Sequence, residues 1–442
     1  MRGRYAGVLL TGIMLIASLS VANTFVLGGN GQGNSAGATV PLEDAEWTVM
    51  VYLDGDNNLE SFALSDLAEM EAVGSVDGVN VIVLMDTYAA IPGTHWYLMD
   101  GPNEHHIELV DGVYQSHCDC DLVAGGCPGE LNMGDPATLT YFVETAMASA
   151  PADHYMLDLW DHGGGWYGLC TDDTGDEDGV RDSLSLDETA NAIDAALPEG
   201  VKLDIIAYDA CFMGCIEAAY ENRNVADYMV ASITTVPGAG WDYTMFLNYM
   251  HLLTEKDPGL VCEAAVDAYI DSYEIYCAGA GIGGFPYVSC SKMVLSDVEK
   301  LVGVDATTGV DELSDELLRL VENPSYRGAI ESAEAQTPQI QFKGEIFPFA
   351  DLGSLLMLLG ENIPEISDLT EGTFDLLRAA VPYSESITTD LGAEACLNTY
   401  GLSIYFTQSV EKYRESYGDL SRGLDFAQDT NWNEFLDLFC MD

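Results

Sequence analysis

Basic residues are scarce. Fifteen Lys and Arg stand against 73 Asp and Glu in 442 residues, a formal net charge of −58. A surface of that sign repels phosphate backbones and anionic lipid heads, which excludes nucleic acid as a partner. The carboxylate excess attracts cations and suits either a salt-rich habitat or simply a well-solvated acidic surface. No internal repeat is evident. The one long apolar run is near the start, where Arg2 and Arg4 precede GVLLTGIMLIASLSVANTFVLG. A positive start, an apolar stretch and the small residues Ser20 and Ala22 make residues 1–27 an export signal. The stretch also matches the roughly 20 residues that cross a bilayer, so an uncleaved anchor is the alternative. The chain is therefore expected to be secreted, or held at the outer face of the membrane through this segment alone. Residues 28–45, rich in Gly, Asn, Ser and Ala, read as a flexible linker.

Two metal patterns are missing as well. Cys118, Cys120 and Cys127 stand among His95, His105, His106 and His117. They lack the paired C-x-x-C knuckles of a zinc site, and in an oxidising compartment disulfides are the expectation. The acidic loop Thr171–Asp182, TDDTGDEDGVRD, does not fit the twelve-residue calcium loop, because counting back from Gly179 puts Thr174 first and Ser185 last. A solvated loop is favoured there. Eleven cysteines in an exported chain imply disulfides and leave at least one unpaired; a free thiol at Cys211 with five pairs among the others would balance the count, with the pairing itself left open.

What is present is an alternation of apolar runs and amphipathic stretches. Trp47–Leu53, Val79–Met85, Tyr155–Trp160 and Leu203–Tyr208 are short apolar runs bounded by turn signals, as fully buried parallel strands should be. Asn57 or Asn58 is placed to cap a helix carrying Leu59, Phe62, Leu67, Met70 and Val73. Leu184–Leu197 puts Leu186, Thr189, Ala190, Ile193 and Leu197 on one stripe, so 155–208 is a strand, helix, strand crossover. The expected architecture is α/β, with a doubly wound and mostly parallel sheet over 46–290. Residues 291–442 complete the fold as a smaller, mainly helical region, after a soft boundary near 290.

Two of these strands end at reactive side chains. Tyr155–Trp160 leads into His162 and three glycines; Leu203–Tyr208 leads into Asp209, Ala210 and Cys211. Parallel neighbours deliver both ends to one crevice, where a thiol and an imidazole form a nucleophile and its base. A helix beginning at Phe212 would favour a Cys211 thiolate through its N-terminal amides. The N–H of Gly163, with that of Cys211, would stabilise a carbonyl oxyanion. These parts describe acyl transfer. A buried structural cysteine and an ordinary HGGG turn are the bland alternatives.

The segments WTVMVYLDGDNNLE at 47–60, LWDHGGGW at 159–166, YDACFMG at 208–214, PGAGWDY at 237–243, DLGSLL at 351–356 and GLSIYF at 401–406 resemble the clostripain family of cysteine peptidases. That family shares the fold of caspases, legumains and gingipains. The resemblance implies a caspase-like three-layer sandwich and an endopeptidase acting on proteins or peptides, with His162 and Cys211 as its dyad. It also implies Asp209 as an acidic pocket residue for Arg or Lys, and self-cleavage between the dyad residues. There Arg181 is the only Lys or Arg apart from Lys202. No cofactor is needed for the chemistry, although the resemblance suggests calcium dependence with unknown ligands. The segment Ser232–Trp241 carries no acidic residue, so the basic preference rests on Asp209. Two other classes remain open: a catalytically silent cell-surface binding protein on the same sandwich, and a thiol redox or metal protein. The oligomeric state is left open.

Overall fold

The computed structural model describes residues 45–75, 77–99, 106–110, 113–119, 126–175, 180–277, 287–342, 345–388, 399–407, 415–418 and 423–441. The expected leader, and the linker up to residue 44, lie outside them. Among the described residues no helix is long and apolar enough to cross a membrane.

Eight strands among the described residues make the central sheet. They are β1 Ala45–Gly55, β2 Val79–Thr87, β3 His95–Leu98, β4 Ala152–Trp160, β5 Leu203–Asp209, β6 Ala226–Ala231, β7 Tyr287–Val294 and β8 Tyr383–Thr388, in the order β8-β7-β6-β5-β4-β1-β2-β3. The five central strands, β6 to β2 in that order, run parallel. Antiparallel β3 closes one edge; at the other, β7 pairs antiparallel with β6 and β8 antiparallel with β7, so β8 again runs in the direction of the central strands. Residues 47–55 of β1 are buried on both faces, which is why this strand reads as an unbroken apolar run.

From β1 the chain steps to β2 in one direction and, through β4, β5 and β6, in the other. Right-handed crossovers then place helices on opposite faces. Glu60–Val73, Tyr243–Leu252 and Pro258–Cys277 form one layer; Pro136–Ser149, Leu186–Ala196, Ile216–Glu221 and Leu295–Val302 form the other. Start signals are local. Asp135 caps the helix that begins at Pro136, and Ser185 and Glu188 form a reciprocal capping box that fixes the helix start at Leu186.

The C-terminal region is mainly helical, as expected, through Leu295–Val302, Val310–Leu320, Pro324–Gln336, Leu352–Asn362 and Ser367–Ala380, but it also carries short strands. Gln339–Phe342 and Glu345–Asp351 pair antiparallel, and Ser403–Tyr405 joins them as a third strand. This small sheet grips the segment after Cys211: Ser403 N–H donates to the Gly214 carbonyl at 2.9 Å, and Tyr405 N–H to Glu217 Oε1 at 2.9 Å. The boundary expected near 290 falls inside β7, and β8 comes from beyond it, so the sheet runs continuously across that point.

The disulfide expectation needs correcting. Cys170, Cys215, Cys262, Cys290 and Cys440 are buried free thiols, and the part-buried Cys211 is a free thiol as well. Buried away from oxidant and partner, they fill the core as small apolar groups. Cys127 is disulfide-bonded.

Candidate active site

Trp160, the last residue of β4, is in register with Asp209, the last residue of β5. His162 and Cys211, each two residues further on, therefore leave the same sheet edge. A cleft of about 450 Å³ opens there, and His162, Gly163, Cys211 and Asp209 all line it, together with Asn58 from the turn after β1.

Asn58 Oδ1 lies 3.1 Å from His162 Nε2. That oxygen only accepts, so Nε2 carries the proton and Nδ1 is left as the basic nitrogen. Cys211 Sγ accepts the Val236 N–H at 3.2 Å, and its own S–H points to the Val236 carbonyl at 3.6 Å. Burial pushes the thiol up to about 11, with the charges of Asp209 and Asp161 adding to it against the Val236 amide. Burial lowers the imidazole below its ordinary value, and the positive charge of Arg181 lowers it further against Asp173.

The thiolate expected from a helix N-terminus is thus corrected. The helix begins at Ile216, and Phe212 sits at φ 64, so Cys211 stands in a turn with no helical amides ahead of it. Both shifts favour the uncharged forms, the thiol and the neutral imidazole. Iodoacetamide labelling of Cys211 is accordingly expected to climb about tenfold per pH unit between about pH 8 and 10. A plateau reached near pH 6, as a thiolate–imidazolium pair would give, would contradict this.

Gly163 brings the two strand ends together. A Cβ on it would lie 2.4 Å from the Cys211 carbonyl oxygen and 2.9 Å from the Cys211 nitrogen, so no other residue lets the chain pass the nucleophile this closely. Gly163 bridges Leu169 through bonds made by its neighbours: Cys170 N–H to His162 O, and Gly164 N–H to Gly168 O. The Gly163 amide takes part in neither, beside the backbone of Cys211.

Asp209 is 3% exposed. Its Oδ2 accepts the Trp241 N–H at 2.7 Å and the Tyr243 hydroxyl at 3.4 Å, while Oδ1 has no hydrogen-bond partner. Burial, and then the charge of Asp158, raise this carboxyl well above the usual range. Gly240 lies against it, where a Cβ would come within 2.4 Å of Oδ2.

Several of these partners escaped sequence reasoning. Asn58 was read as a capping candidate, although the DGDNN turn at the end of β1 faces the same sheet edge; Asn57 Oδ1 instead accepts the Leu59 N–H at 2.8 Å. Phe62, assigned to the core stripe, is 38% exposed and lines the cleft. Arg181 is exposed and pairs with Asp173 at 3.3 Å.

Among the described residues, metal-ligating groups gather at two further places. His95, Cys118 and Cys127 bring their ligand atoms within 4.8 Å of one another, but the disulfide at Cys127 removes a thiolate from any zinc set. Asp56, Asp86 and Glu130 do the same, and here buried Asp54 Oδ2 and Asp56 Oδ1 have no partner. Hard oxygen donors with unsatisfied lone pairs fit calcium.

The family model for clostripain, peptidase family C11, matches residues 51–439. Clostripain from Hathewaya histolytica is 31% identical over 217 residues, which are 44% of this chain and 40% of that protein, so the chain matches less than half of that relative's length. A secreted C11 cysteine protease from Bacteroides thetaiotaomicron, solved with an irreversible peptide inhibitor, superposes with a TM-score of 0.60 at 20% identity, over 88% of this chain and 99% of that one. An inactive zymogen C11 protease from Parabacteroides distasonis superposes at 0.55 and 18% identity, over 90% and 99%. The solved relatives establish the caspase-like sandwich as the fold, and with the family model reaching from β1 to the C-terminal helix, this chain belongs to the clostripain family.

Proposed function

We propose that the protein is an exported cysteine endopeptidase that cleaves after Arg or Lys through His162 and Cys211. The observation that carries the reading is the convergence of a thiol, an imidazole and an orphaned buried carboxylate oxygen on one cleft at the ends of β4 and β5. Export draws on the leader-like start and on the relative described as secreted.

The uncharged pair sets the order of events. As Cys211 Sγ attacks the carbonyl carbon of the scissile bond, its proton passes to His162, and the carbonyl oxygen takes the negative charge beside the amides of Gly163 and Cys211. His162 then gives that proton to the leaving amine as the C–N bond breaks, which leaves a thioester. Water, deprotonated by His162, attacks the thioester; the acid departs and the thiol is restored.

Asp209 is suited to the P1 side chain because a guanidinium or ammonium supplies the partner that its Oδ1 lacks, and so favours loss of the carboxyl proton. Calcium held by Asp56, Asp86 and Glu130 would supply fixed positive charge behind the cleft, with no part in bond making. Arg181 is exposed between the dyad residues, and a relative is described as a zymogen; both support self-processing after it.

A panel of fluorogenic peptides differing only at P1 tests the reading. Arg and Lys peptides are expected to be cleaved at least about 100-fold faster than the Asp peptide. Equal rates would remove the basic preference. Incubated alone, the unchanged protein is expected to give two chains that meet at Arg181 and Arg181→Ala a single one; a single band in the active, unchanged protein would remove self-processing.

A further inference from the structure

A second buried acid stands beside Asp209 and takes no part in the acyl transfer derived above. Asp158 of β4 is 0% exposed, and its Oδ1 accepts the backbone N–H of Asp209 at 3.2 Å from the neighbouring strand. One hydroxyl serves both carboxyls: the buried Tyr243 Oη lies 2.7 Å from Asp158 Oδ2 and 3.4 Å from Asp209 Oδ2. It has a single hydrogen, and the shorter distance commits that hydrogen to Asp158. Among the described residues no Lys, Arg or His forms an ion pair with either carboxyl. The other ionisable groups that bear on them are acids too: Asp66 and Glu69 of Glu60–Val73, Tyr269 of Pro258–Cys277, Cys290 of β7, Cys211, and Cys170 near Asp158. Burial raises both carboxyls, Asp158 to about 6 and Asp209 well above the usual range, where the charge of Asp158 adds to it.

Two buried acids with one donated hydrogen between them and no cation lose their protons in sequence, the first ionisation opposing the second. A guanidinium or ammonium arriving at Asp209 Oδ1 supplies the counter-charge that the pair lacks. We propose that Asp158, tied to Asp209 through Tyr243, is a positioning residue that sets the pH range over which a basic P1 side chain is accepted. The hydrogen of Tyr243 makes Asp158 the first of the pair to ionise, and that charge delays the charge on Asp209 until a cation is there to balance it. The link to P1 rests on the peptidase reading; the coupling of the two acids does not.

The coupling is tested in the full chain carrying Cys211→Ala, where no cleavage intervenes. A carboxyl raised by folding takes stability away as pH climbs from its unfolded value towards its folded one. The gain in Tm from Asp158→Asn, and from Asp209→Asn, is therefore expected to grow by at least about 2 °C between about pH 5.5 and 8.5. The double variant is expected to gain less than the two singles summed, because either one removes the same repulsion. Strict additivity overturns the coupling. With Cys211 restored, the ratio of kcat/KM for an Arg peptide to that for its uncharged citrulline isostere is followed against pH. Asp158→Asn is expected to move the midpoint of its climb down by at least about one pH unit, about tenfold in the ratio on the acid side. Tyr243→Phe is expected to move it down as well, since Asp209, still held by the Trp241 N–H, then becomes the first to ionise. A tyrosine that served Asp209 directly would move it up. A midpoint that Tyr243→Phe leaves in place or raises overturns the proposal, as does one that a folded Asp158→Asn leaves in place; if Asp158→Asn does not fold, Tyr243→Phe decides alone. Failure to cleave any peptide removes the peptidase reading and leaves the stability arm standing.

Discussion

Cys211→Ala is expected to lower kcat/KM on Arg peptides by at least about 10⁴-fold and to abolish covalent capture by thiol reagents directed to the cleft. The size follows from the chemistry: without sulfur there is no thioester, and the substrate must be hydrolysed by water that the cleft does not activate. His162→Ala is expected to lose a similar amount, and the double variant little more than either, because the two groups act in one proton transfer and their effects are not additive. Folding gives a clean control. The Sγ accepts one hydrogen bond, from Val236, worth about 1 kcal/mol net, so Tm should fall by no more than a few degrees. Retention of more than a hundredth of the activity in Cys211→Ala, checked by mass to exclude unchanged enzyme, would move the nucleophile elsewhere.

The legible parts of this molecule were those whose cause is local. The central strands declare themselves because burial on both faces demands consecutive apolar residues, and Ser185 with Glu188 marks a helix start through a bond between near neighbours. The parallel pairing of β4 and β5 then follows from the crossover, which is why His162, Gly163 and Cys211 could be placed at one edge. The strands 339–342 and 345–351 were hidden because QIQF is four residues long and half polar and EIFPFAD is interrupted by Pro348, while 345–351 gains its stability from 403–405 and from stacking of Phe349 on Phe212. The positive φ of Phe212 was hidden too, since a bulky residue there gives no compositional sign of the turn that delays the helix. The carboxylate cluster draws on Asp54, Asp56, Asp86 and Glu130, which only the convergence of strand ends brings together. A cysteine count reflects a compartment rather than a geometry, and so it overstated the disulfides.

Asp209→Asn is expected to remove the preference for a basic P1 residue, cutting kcat/KM for Arg and Lys peptides by about 10² to 10³-fold while leaving a citrulline peptide, the uncharged isostere of Arg, within about threefold. A buried charge pair broken on one side costs more than this range implies. Part of that cost is already met in the free enzyme, where burial and the charge of Asp158 raise the Asp209 carboxyl well above its usual range, so that the arriving cation must also favour its ionisation. The sign with pH follows from the same shift. A carboxyl raised above its ordinary value ionises only as pH rises, so Arg binding strengthens towards alkaline pH, and the ratio of Arg to citrulline rates climbs with it until Asp209 is ionised in the free enzyme. In Asp209→Asn that climb is expected to vanish. Asparagine can still accept the Trp241 N–H and relieves the repulsion from Asp158, so the variant should fold at least as stably. Gly240→Ala offers an independent check: its Cβ would fall 2.4 Å from Oδ2 at a φ of 53, covering the carboxylate while leaving the charge in place, and should depress Arg cleavage as strongly. An Arg preference that survives both substitutions would assign P1 recognition to residues other than Asp209.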